Sequence, residues 1–168
     1  VFKRGNPLRP GEEIPKQFVE CLVTGSPISL EKGSGRLELA RALTRADHPL
    51  LARVIVNRVW MHHFGEGLIR TPGDLGSRGE SPTHPALLDW LARDFINNGW
   101  SLKHLHRTIL TSATWRQSSA RRQDLDERDP ENRLLARQNI RRIDWETLRD
   151  KLLLASGALD ATRGGPPE

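Results

Sequence analysis

The 168-residue sequence holds one cysteine, Cys21, and no apolar run that approaches 18 residues. The first scarcity excludes an internal disulfide, a cysteine-based zinc cluster and a Cys-x-x-Cys redox pair. The second excludes a transmembrane helix within these residues. Lysine is scarce too, with 5 against 21 arginines in a net charge of +5. Arginine favours bidentate pairing with carboxylates and phosphates, so the bias fits a structural ion-pair network or an anionic partner. Nucleophile signatures are missing: there is no Gly-x-Ser-x-Gly, no P-loop and no thiol beside a basic run. What is present, 36% hydrophobic and 28% charged residues, suffices for one ordinary domain with a proper core. The first residue is Val1, with no charged n-region or apolar h-region behind it, which reads as a processed chain or a piece of something larger.

Residues 1–33 carry Pro7, Pro10, Pro15 and Pro27 among several glycines, a punctuation that predicts an extended arm laid over the domain. The patch Phe18, Val19, Leu22 and Val23 is its expected docking point, and Cys21 reads there as a small core residue. Helical periodicity occupies 34–160. A first helix is expected at 35–46, with Leu37, Ala40 and Leu43 inward, and a second at 49–64, stopped by Gly65. A third, at 84–97, buries Leu88, Leu91, Ala92 and Phe95. A fourth, at 102–115, is capped by Ser101 and turns Leu102, Leu105, Ile109 and Ala113 inward. Asp129-Pro130 starts a short fifth. Asp144 caps a sixth that carries Trp145, Leu148, Leu152 and Ala155 in register, with Gly157 as its stop. Residues 161–168 read as a flexible tail. No strand pattern of useful length appears, so the expected class is all-α, a compact irregular domain of five to six helices.

The second helix is apolar nearly all round, the mark of a central buried helix. Leu51, Val54, Ile55 and Val59 share its inward face on a helical wheel. Arg58 projects from that face and is expected to be buried in an ion pair with Asp74, Asp89, Glu38 or Asp150. No metal site is expected. His62 and His63 are adjacent and diverge on a helix, His104 and His106 point to opposite sides, and no His-x-x-x-His spacing exists.

The connection Gly65–His84 has no helical period, and long ordered connections often carry function. Its charged residues, with the two histidines at its base, define the candidate ligand-binding corner: His62, His63, Arg70, Asp74, Arg78 and His84. Arg70 and Arg78 would hold an anion, His63 or His84 would carry a proton, and Asp74 would orient one of them. The competing reading is structural, with an aspartate neutralising an arginine and the connection sealed against its scaffold. A nucleic-acid reading is weaker. Arg116–Arg149 interleaves nine arginines with seven acids, leaving an excess of only 9 − 7 = +2. The third and fourth helices, joined by Asn98-Gly99-Trp100-Ser101, could pass as a helix-turn-helix with Lys103, His104 and Arg107 exposed. Antiparallel hairpins are far commoner.

A series of ordered blocks gives the chain a resemblance. They include Arg4-Gly5-Asn6-Pro7, Arg36-Leu37-Glu38-Leu39-Ala40, Asn57-Arg58-Val59-Trp60 and Phe64-Gly65-Glu66-Gly67-Leu68. Further on come Thr71-Pro72-Gly73-Asp74-Leu75-Gly76, Thr83-His84-Pro85, Gly99-Trp100-Ser101 and Asp129-Pro130-Glu131-Asn132-Arg133-Leu134-Leu135. Through nearly its whole length the chain resembles the planctomycete-specific domain of unknown function numbered fifteen-fifty-three. That domain commonly follows a cytochrome-c-type module and a second family-specific domain in large proteins. The resemblance implies a C-terminal module of an exported or cell-envelope protein. It implies no catalytic residues, since the family has no established activity. A c-type haem would belong to another part of such a protein, because this sequence has no Cys-x-x-Cys-His. The expected function is a non-catalytic structural or interaction module whose partners are other domains of the same polypeptide. Ligand binding or enzymatic action at Gly65–His84, on an anionic polysaccharide or other anion, is the alternative, and nucleic-acid binding the third.

Overall fold

The computed structural model describes residues 3–23, 25–121 and 123–162. These form seven α-helices: α1 (Arg36–Leu43), α2 (Leu51–Phe64), α3 (Pro85–Asn97), α4 (Leu102–Thr111), α5 (Ala113–Arg116), α6 (Gln123–Asp126) and α7 (Trp145–Ser156). Among the described residues there is no strand, and no helix is long and apolar enough to cross a membrane. The class is all-α. The chain divides into two units, Val1–Gln138 and Asn139–Glu168, so the sixth expected helix, now α7, belongs to the second. The expected tail at 161–168 lies mostly outside the described residues.

The core of the first unit is built on a four-residue repeat. Ala52, Val56, Trp60 and Phe64 stand at successive i+4 positions of α2 and are all buried, the spacing that aligns side chains along one helix face. They pack with Leu88, Leu91, Ala92 and Phe95 of α3 and with Leu105 and Ile109 of α4. Trp60 and Phe64 stack with ring centroids 4.2 Å apart. This seam lies beside the face read from the wheel: Leu51, Val54, Ile55 and Val59 are only half-buried. Because α2 is apolar on most sides, composition alone did not say which stripe meets α3.

The expectation for Arg58 fails for the same reason. Arg58 is exposed and makes no ion pair among the described residues. The polar residue that the core admits is its neighbour Asn57, whose exposure is 0%. Asn57 Nδ2 donates to the Ile69 carbonyl at 2.9 Å, and Asn57 Oδ1 accepts from the Ile69 amide at 2.9 Å. One side chain thus replaces both hydrogen bonds of a backbone unit and lets Leu68 and Ile69 enter the core. Gly67 lies against the same amide: a Cβ there would sit 2.7 Å from Asn57 Oδ1 and 2.8 Å from Nδ2.

The arm is extended, as expected, but it folds back on itself. The Phe18 amide donates to Ile28 O and the Leu30 amide to Lys16 O, both at 2.8 Å. Of its apolar patch, Phe18 is buried and Val19 is exposed. Cys21 is exposed rather than in the core. Further on, α4 and α5 replace one long helix. Ser112 breaks it by accepting from the Trp115 amide through its hydroxyl at 3.1 Å and so capping α5. The helix expected from Asp129 does not form. The Asp129 carboxylate instead accepts from the amides of Arg133 at 2.9 Å and Leu134 at 2.7 Å, and Asn132 takes a left-handed φ of 53°.

In the second unit α7 begins and ends where expected. Asp144 Oδ1 caps it by accepting from the Thr147 amide at 2.6 Å, and Gly157 closes it. Its expected inward residues are not buried: Trp145 is 68% exposed and Leu152 59%.

Asn57→Ala should destabilise the protein by about 2–4 kcal/mol, since it leaves a buried amide and carbonyl without partners. Gly67→Ala should cost about 1–3 kcal/mol by overpacking. Urea unfolding of both single variants and the double variant checks this, and the double variant should cost less than the sum, because both lesions release the same segment.

Candidate functional site

The connection between α2 and α3 is held by its own hydrogen bonds. Below the Asn57–Ile69 pairing, the Thr83 amide donates to Leu68 O at 2.9 Å. Thr71 Oγ1 donates to Asp74 O at 2.9 Å and accepts from the Glu80 amide at 3.1 Å. The Asp74 carboxylate accepts from the Gly76 amide at 2.9 Å. Asp74 is thereby a turn-former, the ordinary use of aspartate in a tight loop.

Arg70 is the most engaged cation of the group. Its Nε and Nη2 donate to the two carboxylate oxygens of Glu66 at 2.9 and 3.0 Å, and its Nη1 donates to Glu131 Oε2 at 2.8 Å. These bonds hold the guanidinium above the usual arginine value, and the same bond from Arg70 pulls the Glu66 carboxyl below its ordinary value of 4.5. A second link crosses between the same segments, Arg133 Nη2 to Glu80 Oε2 at 3.1 Å. The connection is therefore tied to the 129–135 turn at two points.

The six expected residues engage different partners. The contacts of Arg70, Asp74 and His84 run to Glu66 and Glu131, to the turn backbone, and to Thr83 Oγ1 at 3.0 Å. Arg78 is exposed and makes no ion pair among the described residues. His62 is exposed on α2. His63 turns toward α4, where its Nε2 lies 2.8 Å from His106 Nδ1. The Trp115 and His63 rings lie nearly perpendicular at a centroid distance of 5.3 Å. Two imidazoles sharing one hydrogen bond can hold and pass a proton. Among the described residues no group of three or more metal-ligating side chains converges. In the α3–α4 hairpin, His104 is half-buried and paired with Asp94 Oδ2 at 2.8 Å, so it is not the open base-reading residue envisaged there.

The family model described as PSD1, protein of unknown function (DUF1553), matches residues 35–168. The chain belongs to this family. No curated protein and no solved structure matches it. In this DUF1553 domain the sequence blocks that carried the resemblance are occupied with architecture. Asn57 pins Ile69, Thr83 closes the connection, and Asp129 and Asn132 shape the turn that receives Arg70. Glu131 and His106 were missed as partners because they lie 61 and 43 residues from Arg70 and His63. No local spacing signals such pairs.

Glu66 gives a pH signature. Its carboxyl is depressed in the folded protein, so the stabilisation it brings is complete above pH 4.5 and is lost as the pH falls through the lower folded value. Wild type should therefore exceed Glu66→Gln in urea midpoint at neutral pH, and the gap should close below pH 4.5, as measured by denaturation across a pH series.

Proposed function

We propose that this domain is a non-catalytic interaction module of a larger exported or cell-envelope protein, and that α7 is the element that docks. The observation that carries the reading is the exposure of α7: twelve residues with both ends capped and no buried side chain. Trp145, Leu148 and Leu152 share a stripe, and an apolar stripe on a short helix is stable only when something covers it. The partner is another domain of the same polypeptide, in keeping with the multidomain setting that the resemblance implies. The connection at 65–84 supports the absence of chemistry, because Arg70 and Glu80 are spent on tethering it and Asp74 on shaping it. Ligand binding there would require Arg70 to release Glu66 and Glu131.

The test is hydroxyl-radical footprinting of the isolated domain against the longer polypeptide. Trp145 and Leu152 should be labelled in the domain and protected in the longer protein. Substituting Trp145→Ser with Leu152→Glu should leave unfolding of the first unit unchanged. In the longer protein it should cost about 1.5–3 kcal/mol per side chain withdrawn from the interface. Protection of Trp145 already in the isolated domain, or none in the longer protein, refutes the reading.

A further inference from the structure

Charge is unevenly spread along this chain. Its 26 basic residues exceed its 21 acidic ones by five, and residues 95–123 hold five basic residues and no acid, so the rest of the chain is balanced at 21 of each. The whole of α4 and α5 lies in that acid-free stretch. Lys103 and Arg107 of α4 and Arg116 of α5 are exposed and make no ion pair among the described residues. An acid that does reach α4, Asp94 of α3, is occupied: its Oδ2 binds His104 Nε2 at 2.8 Å, and its Oδ1 accepts from Asn98 Nδ2 at 3.0 Å.

The sides of α4 differ sharply. Leu105 and Ile109 are buried in the core, while Leu102, Lys103, His106, Arg107 and Leu110 are exposed. Lys103 and Arg107 stand four residues apart, as do Leu102, His106 and Leu110, so the exposed side carries two neighbouring stripes. One stripe is cationic. The other sets a leucine on either side of His106, whose ring is tied to His63. Leu102 is 50% exposed and Leu110 41%. Single leucines scattered over a surface are ordinary, but two aligned beside a pair of unpaired cations form a composite face.

We infer that α4 rests on an anionic lipid surface, with Lys103 and Arg107 meeting headgroup phosphates and Leu102 and Leu110 entering the acyl boundary. Helices that lie on membranes combine cations with leucines in this way. The face is the ridge of one helix, about 15 Å long. A ridge is convex, and a deformable layer of phosphates over hydrocarbon meets both of its stripes at once. Nucleic acid would use the cations and leave the leucines in water. Nor does α5 offer an open ring on which a base could stack, since Trp115 is half-buried against His63 and Phe64. An acidic polysaccharide would strand the leucines as well. Arg116 adds to the positive field beyond the end of α4. No residue of α7 takes part, so lipid binding through α4 and docking through α7 can fail separately.

The experiment is co-sedimentation of the chain with vesicles of phosphatidylcholine alone and of equal parts phosphatidylcholine and phosphatidylglycerol, with duplex DNA titrated in parallel. The chain should sediment with the anionic vesicles and remain in solution with the neutral ones. Lys103→Gln and Arg107→Gln should each weaken vesicle binding roughly fivefold, the scale of one cation at an anionic surface. Arg41→Gln, an exposed change on α1, should leave it unaltered. Leu102→Ser with Leu110→Ser should weaken it roughly tenfold or more, because the hydrocarbon contribution is lost while every charge remains. All these side chains are exposed, so each variant should melt like wild type. Absence of binding to anionic vesicles, equal binding to neutral ones, or glutamine variants that bind like wild type overturns the proposal. Serine variants that bind like wild type also overturn it, and tight DNA binding alongside them assigns the face to nucleic acid instead.

Discussion

A connecting segment can enter a hydrophobic interior only if its peptide groups find partners there, and in this domain one carboxamide supplies them. Asn57 meets both the amide and the carbonyl of Ile69, so Leu68 and Ile69 contribute to the core like helix residues while remaining loop. Other features follow from that pairing. Gly67 must be glycine-sized because the chain passes so close to the amide. Thr83 can close back on Leu68 because Leu68 is fixed. With the inner part anchored, the outer part is free to present Arg70 and Glu80 to the 129–135 turn. Desolvating an asparagine is tolerable here because its donor and its acceptor are both used.

Much of the helical text was legible from local signals. α3 and α7 start and stop within a residue of their expected bounds, because Pro85, Asp144 and Gly157 each act through their own backbone neighbourhood. What failed was long-range or competitive. The inward face of α2 was misread because its apolar residues wrap the helix, and only the position of α3 selects the stripe through Ala52 and Val56. Arg58 and Asn57 differ by one residue and about 100° of rotation, enough to send one to water and the other to the core. Asp129 resembled a helix start, yet the same carboxylate serves equally well to bind the amides of a turn.

The candidate site was less legible than the fold. The connection at 65–84 was identifiable as an ordered, charged segment, but pairing geometry decides what such charges do. Arg70 spends its donors on Glu66 and on a glutamate 61 residues away. His63 meets His106 because α2 and α4 are packed neighbours. No local spacing marks His48, whose Nδ1 accepts from the Leu50 and Leu51 amides and so caps the start of α2.

The family match begins at residue 35, whereas the physical unit begins earlier. Phe18, seventeen residues upstream of that boundary, is 4% exposed and sets its ring against His48 at a centroid distance of 6.0 Å. The arm that delivers it is fastened to itself through the Phe18–Ile28 and Leu30–Lys16 hydrogen bonds. A fragment cut at the family boundary would retain all seven α-helices and yet lose the aromatic cover over the imidazole that caps α2. What sequence comparison delimits as the domain is thus narrower than what the chain needs in order to keep its second helix sheltered at the start.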